Sequence, residues 1–157
     1  MSELMIGRAQ AVDLSTVSVS WLLVTAALAL LISLVEAWIA TLIVYVKVKP
    51  LKRLFPAPHN LIRSHVDYTI MTALLGFSYF AVIQLAIDLP DTIIVLLCIG
   101  VLYNPFGFLV KAIWPNAGHS DTFWGKLGVC IGFLPASIGF GYVMIMILLR
   151  LAGGSIG

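Results

Sequence analysis

Charge is what this sequence has least of. Only 10% of its 157 residues are Asp, Glu, Lys or Arg, against about 25% in an ordinary soluble domain. So few charges cannot clothe a water-facing surface. The chain is 61% hydrophobic, with a mean hydropathy of +1.08, so most of its outside must face lipid. The net charge of +2 is small. A nucleic-acid partner needs clustered Lys and Arg on a polar face, and none is expected here. Cysteine is scarce too: Cys98 and Cys130 both fall in apolar stretches, with no CxxC or zinc-type Cys/His spacing. Both are expected as reduced thiols in the core. No GxSxG, HExxH, P-loop or dinucleotide fingerprint occurs, and His119 with Asp121 is too little for a metal site. The start, with Glu3, Arg8 and Asp13, lacks a small-residue cleavage pattern. The first apolar stretch is therefore expected as a retained membrane helix and not a signal peptide.

Four long apolar segments are present, at about 17–46, 61–87, 91–114 and 123–151. Roughly 20 residues cross the hydrocarbon core, so each can span it. The length leaves room for one domain, an all-α integral membrane four-helix bundle. Lys47, Lys49, Lys52 and Arg53 crowd the first connection, with Arg63 just beyond. The positive-inside rule makes loop 47–60 cytoplasmic and places both termini on the other side. Pro50, Pro56 and Pro58 exclude a continuous helix through that loop. Asp88-Leu-Pro-Asp91 is an acidic turn, with Pro90 and Asp91 suited to a helix start. The last segment carries Pro135 and the pair Gly128 and Gly132, whose spacing favours close helix approach.

Polar residues at membrane depth need a reason. His65 opens the second segment beside Asp67. Its neutral imidazole can ligate iron through one nitrogen and hydrogen-bond through the other, or it can simply bond a loop at the interface. Helical spacing puts His65, Tyr68 and Thr72 on one face. Asp67 can pair with Arg63, four residues earlier. Asn104 precedes Pro105 in the third segment, where it reads either as an interhelical hydrogen bond beside a kink or as a ligand-facing amide. Asn104, Phe108 and Lys111 share one face. Glu36 lies deep in the first segment and must be protonated, paired or close to water. Tyr79, Trp114, Trp124 and Tyr142 read as interfacial anchors or packing groups.

Three stretches carry a family resemblance. RSHVDYTIMTALL, with His65 and Asp67, resembles the His-bearing segment of styrene oxide isomerase and of hydroxylaminobenzene mutase, in which an acidic residue follows the His by two. YNPFGF, with Asn104, resembles part of the isomerase's third helix. GHSDTFWGKLGVCIGFLPAS resembles its entry into helix four, through Asp121, Thr122, Trp124, Gly125 and Leu134-Pro135-Ala136. The resemblance covers roughly 61–151. It implies a four-helix membrane protein that forms homotrimers and binds haem b near the subunit interface. Ferric iron there acts as a Lewis acid on an epoxide, which rearranges to a carbonyl compound without net redox change.

By that resemblance His65 is the metal ligand, with Tyr68 and Thr72 beside it at the cofactor. Asp67 or Tyr68 tunes the site, and Asn104 and Tyr103 are substrate-facing candidates. The substrate is small and apolar and arrives through the bilayer, here the inner membrane of a bacterium. Two positions depart from the isomerase pattern. Met71 stands where it has a catalytic Asn six residues after the His, and Phe108 stands where it has a Tyr. Haem binding can survive these changes without epoxide chemistry. Two rival readings stay open: a haem protein in electron transfer or haem handling, and a cofactor-free membrane accessory protein.

Overall fold

The computed structural model describes residues 17–117 and 123–153. Among them it forms five helices and no strand: α1 (Ser20–Val44), α2 (Lys49–Leu54), α3 (Pro58–Gln84), α4 (Asp91–Ile113) and α5 (Phe123–Gly153). Four are long and apolar enough to cross a membrane. The protein is an all-α bundle of four spans, as the hydropathy pattern requires. Its outer surface is apolar all round, with Trp38 at 68% and Leu148 at 66% exposure. A helix that is hydrophobic on every face belongs in lipid or in a core.

The helix boundaries follow local chemistry. α1 is shorter than expected at both ends; Lys47 closes the exit from it in the left-handed region, at φ 60°. The proline-rich loop is not helix-free: Pro50 sits in the first turn of α2, where a missing N–H costs nothing. Pro58 does the same for α3, which therefore starts before Leu61. At the far end of α3, Ile87 N donates to Val82 O at 3.0 Å and Ala86 N to Ile83 O at 3.2 Å, with Ala86 at φ 48°. This is a Schellman closure with alanine in the position glycine prefers. α4 then begins at Asp91, whose negative charge suits a helix N-terminus.

α3 lies between α1 and α4, and α5 packs along α4; α1 and α5 scarcely meet. The main core combines Leu22, Ala26, Tyr68, Leu75, Leu97, Val101 and Val143. A smaller cluster at the basic end joins Ala40, Ile43, Phe55, Leu61 and Ala112, and pins α2 across the bundle. There the last carbonyls of α4 are capped from α3: Ala57 N donates to Ala112 O and the Asn60 amide to Lys111 O, both at 3.3 Å.

Two expectations are corrected. Cys98 is buried, but Cys130 is exposed on α5 and is no core thiol. Gly128 makes no close approach, since a Cβ there would meet nothing within 4 Å. The tight crossing of α4 and α5 is built by Gly100 and Gly139 instead. A Cβ on Gly100 would lie 2.7 Å from Ala136 Cα, one residue past Pro135, and a Cβ on Gly139 would lie 2.7 Å from Leu97 Cγ. Gly132 faces Tyr103 more loosely, at 3.4 Å. Gly100→Ala is expected to destabilise by about 1–3 kcal/mol through overpacking against backbone. Gly128→Ala should be neutral or gain up to about 1 kcal/mol of helix propensity. Denaturation of both variants in detergent measures the contrast.

Candidate functional site

The polar side chains of α1 and α3 meet along one seam. Ser33 is fully buried on α1. Its Oγ lies 2.8 Å from His65 Nδ1, 2.7 Å from Thr69 Oγ1 and 3.0 Å from the His65 carbonyl. Ser33's own carbonyl lies 2.9 Å from the same Nδ1. A carbonyl oxygen can only accept, so Nδ1 carries the proton. The other ring nitrogen, Nε2, makes no hydrogen bond among the described residues. His65 itself is half-buried.

One turn along α1, Glu36 is buried at 3% exposure. Ser64 Oγ lies 2.8 Å from Glu36 Oε1 and 3.2 Å from Pro105 O on α4. A serine, a glutamate and a proline carbonyl thus join three helices. Glu36 Oε2 is buried with no hydrogen-bond partner, alone in this among the described side chains. Tyr68, also buried, donates to Leu102 O at 2.8 Å. Ser64 and Tyr68 therefore engage the carbonyls of Pro105 itself and of Leu102, close to where α4 lacks an N–H.

The other residues singled out from sequence lie elsewhere. Tyr68's hydroxyl is spent on α4, and Thr72's is directed at Ala26 O, 3.3 Å away on α1. Asp67 follows His65 by two residues, about 200° around the helix. It lines an open recess of about 350 Å³ between α3 and α4, together with Ile62, Arg63, Val66 and Phe108. Arg63 and Asp67 share this recess without a close ion pair among the described residues. Tyr103 is exposed and packs its ring near Phe106, with centroids 6.4 Å apart. Asn104 is half-buried, and its amide makes no hydrogen bond among the described residues. Its Cα lies 3.6 Å from where a Cβ on Gly132 would stand. Tyr103 and Asn104 thus flank the α4–α5 crossing, whereas His65 belongs to the α1–α3 seam. Met71 packs against the main core. His119, Asp121 and Thr122 lie outside the described residues, as does the side chain of Trp124.

Sequence reasoning passed over Ser33, Ser64 and Thr69. A usable signal was present: Ser33 and Glu36 are three apart on α1, and Ser64 with Tyr68 and His65 with Thr69 are four apart on α3, so each pair shares a face. Comparison with protein-family models, characterised proteins and solved structures yields no match. The geometry therefore has to carry the functional reading.

Ser64→Ala would leave both carboxyl oxygens of Glu36 unpartnered. It should cost about 1–3 kcal/mol, and adding Glu36→Leu should recover part of that loss, because removing both partners avoids the unpaired group. Thermal unfolding of the single and double variants in detergent provides the check.

Proposed function

We propose that this chain is a haem-b membrane protein of the styrene oxide isomerase type, in which His65 would hold the haem iron. The observation that carries the reading is the hydrogen bond from His65 Nδ1 to the Ser33 carbonyl at 2.9 Å. Metal-bound histidines donate their other ring N–H in this manner, which fixes tautomer and ring plane. It leaves Nε2 as the single lone pair, on a half-buried ring at the bundle's edge. No group of three or more His, Cys, Asp or Glu occurs among the described residues. A lone histidine donor of this kind would suit a prosthetic group that carries its own metal ligands.

When bound at such a histidine, ferric haem b supplies Lewis acidity toward an epoxide oxygen. The chain's own contribution is to orient the ligand and to keep the surroundings dry. Ser33 holds the imidazole, and the apolar exterior admits a small apolar substrate from the bilayer. Asn104, with an uncommitted amide, and Tyr103 are the polar groups able to orient a substrate oxygen. Within one protomer they lie on a different helix pair from His65. The homotrimer implied by the resemblance is the assembly in which a neighbour's Asn104 face would complete the site. The basic residues between α1 and α3 favour a cytoplasmic position for that end of the bundle by the positive-inside rule, with a bacterial inner membrane as the setting.

Electron transfer is the second reading. A single histidine donor favours the isomerase over it, because electron-transfer haems generally carry two axial ligands. The test is the visible spectrum of detergent-purified protein from haem-replete cells, wild type beside His65→Ala. A Soret band in the wild type that the variant loses is the expected result. A folded His65→Ala protein with full haem content would overturn the ligand assignment. A wild type without haem would leave a cofactor-free helix bundle.

A further inference from the structure

The hydrogen bonds around His65 have a direction, and that direction bears on the two hydroxyls of the α1–α3 seam that surround the ring. Nδ1 faces a carbonyl, so it is the donor. Its proton is shared between Ser33 O at 2.9 Å and Ser33 Oγ at 2.8 Å. Ser33 Oγ therefore accepts from the ring, and its own proton must go elsewhere. The acceptors in reach are Thr69 Oγ1 at 2.7 Å and the His65 carbonyl at 3.0 Å. Thr69 Oγ1 in turn lies 2.9 Å from that same carbonyl, one helical turn back. The path runs from His65 Nδ1 to Ser33 Oγ, to Thr69 Oγ1, and back to the main chain of His65. The loop is closed, and its two ends are fixed by the carbonyls, which cannot donate; between Ser33 and Thr69 either hydroxyl can be the donor.

We propose that Ser33 and Thr69 are positioning residues for His65: their hydroxyls close a hydrogen-bond loop that holds the ring plane, while the Ser33 carbonyl sets the Nδ1–H tautomer and leaves Nε2 as the metal-binding lone pair. The inference rests on the haem reading and extends it to side chains on two helices. Loops of this kind strengthen each member, because every hydroxyl that accepts a bond becomes a better donor. The loop also ties the ring plane to the packing of α1 on α3, so the ligand is held by the fold and not by its own rotamer preference. Thr69 alone would be an ordinary back-bonded helix threonine; the 2.7 Å contact to Ser33 makes it part of the histidine's environment.

The test uses the full-length protein in detergent, with haem b titrated into the apo form. Thr69→Val keeps the shape and removes the hydroxyl, and Ser33→Ala removes the centre of the loop. Outer-shell changes of this type weaken metal binding by about 10–100-fold. We expect a loss in that range for both variants, an altered Soret position, and recovery in Thr69→Ser. Nitrogen NMR of the apo protein should show His65 protonated at Nδ1 in the wild type, in Thr69→Ser and in Ser33→Ala alike, because the carbonyl of residue 33 stays in place. Haem affinity and spectrum unchanged in both Thr69→Val and Ser33→Ala would overturn the positioning role while leaving the haem reading intact. A wild type that binds no haem would overturn both. An Nε2–H tautomer in the wild-type apo protein would overturn the loop itself.

Discussion

Hydrocarbon offers no hydrogen-bond partners, so every polar atom buried in this bundle has to find one on another part of the chain. Many of the side-chain bonds at depth end on main-chain carbonyls: Ser64 on Pro105, Tyr68 on Leu102, Thr72 on Ala26, and Ser33 and Thr69 on His65. α3 supplies most of these donors. It is the least apolar of the four spans, with a mean hydropathy of 1.5 against 2.0–2.3 for the others, and it lies between two neighbours. Its lower hydropathy reflects the hydroxyls by which it holds α1 and α4.

Glu36 is the exception to full satisfaction. One carboxyl oxygen is bonded to Ser64 and the other has no partner. Buried unpaired polar atoms are few in folded proteins and cost stability. This one lies a single turn from the histidine seam, between three helices. The expense falls where helix packing is otherwise most polar, which is where functional sites tend to accept local cost.

Sequence and structure agree on what hydropathy can encode. The four spans, the acidic turn before α4 and the basic connection all follow from residue type and run length. The side-chain network does not. Glu36 could be singled out as buried, but not Ser64 as its partner, because that pairing depends on the register of α1 against α3. Tyr68 and Thr72 share a helical face with His65 by spacing, yet each hydroxyl is drawn to a different neighbouring helix. Gly128 and Gly132 form a familiar small-residue spacing, but the rotation of α5 turns Gly139 toward α4 and sets Ala136 against Gly100. Spacing along one helix fixes which residues share a face. It does not fix which neighbour that face meets.

The capping of α4 by α3 has a consequence for how the protein enters the membrane. The two helices are joined at one end by a short acidic turn. At the other, Ala57 and Asn60 donate to the final carbonyls of α4. Together they make a helical hairpin that satisfies its own frayed end, so the costliest dangling groups at that boundary are neutralised without help from α1 or α5. Such a pair can partition from the translocation machinery into lipid as one piece. The outer two spans pack on its flanks, α1 through hydroxyl and carbonyl matches and α5 through the fit of small residues.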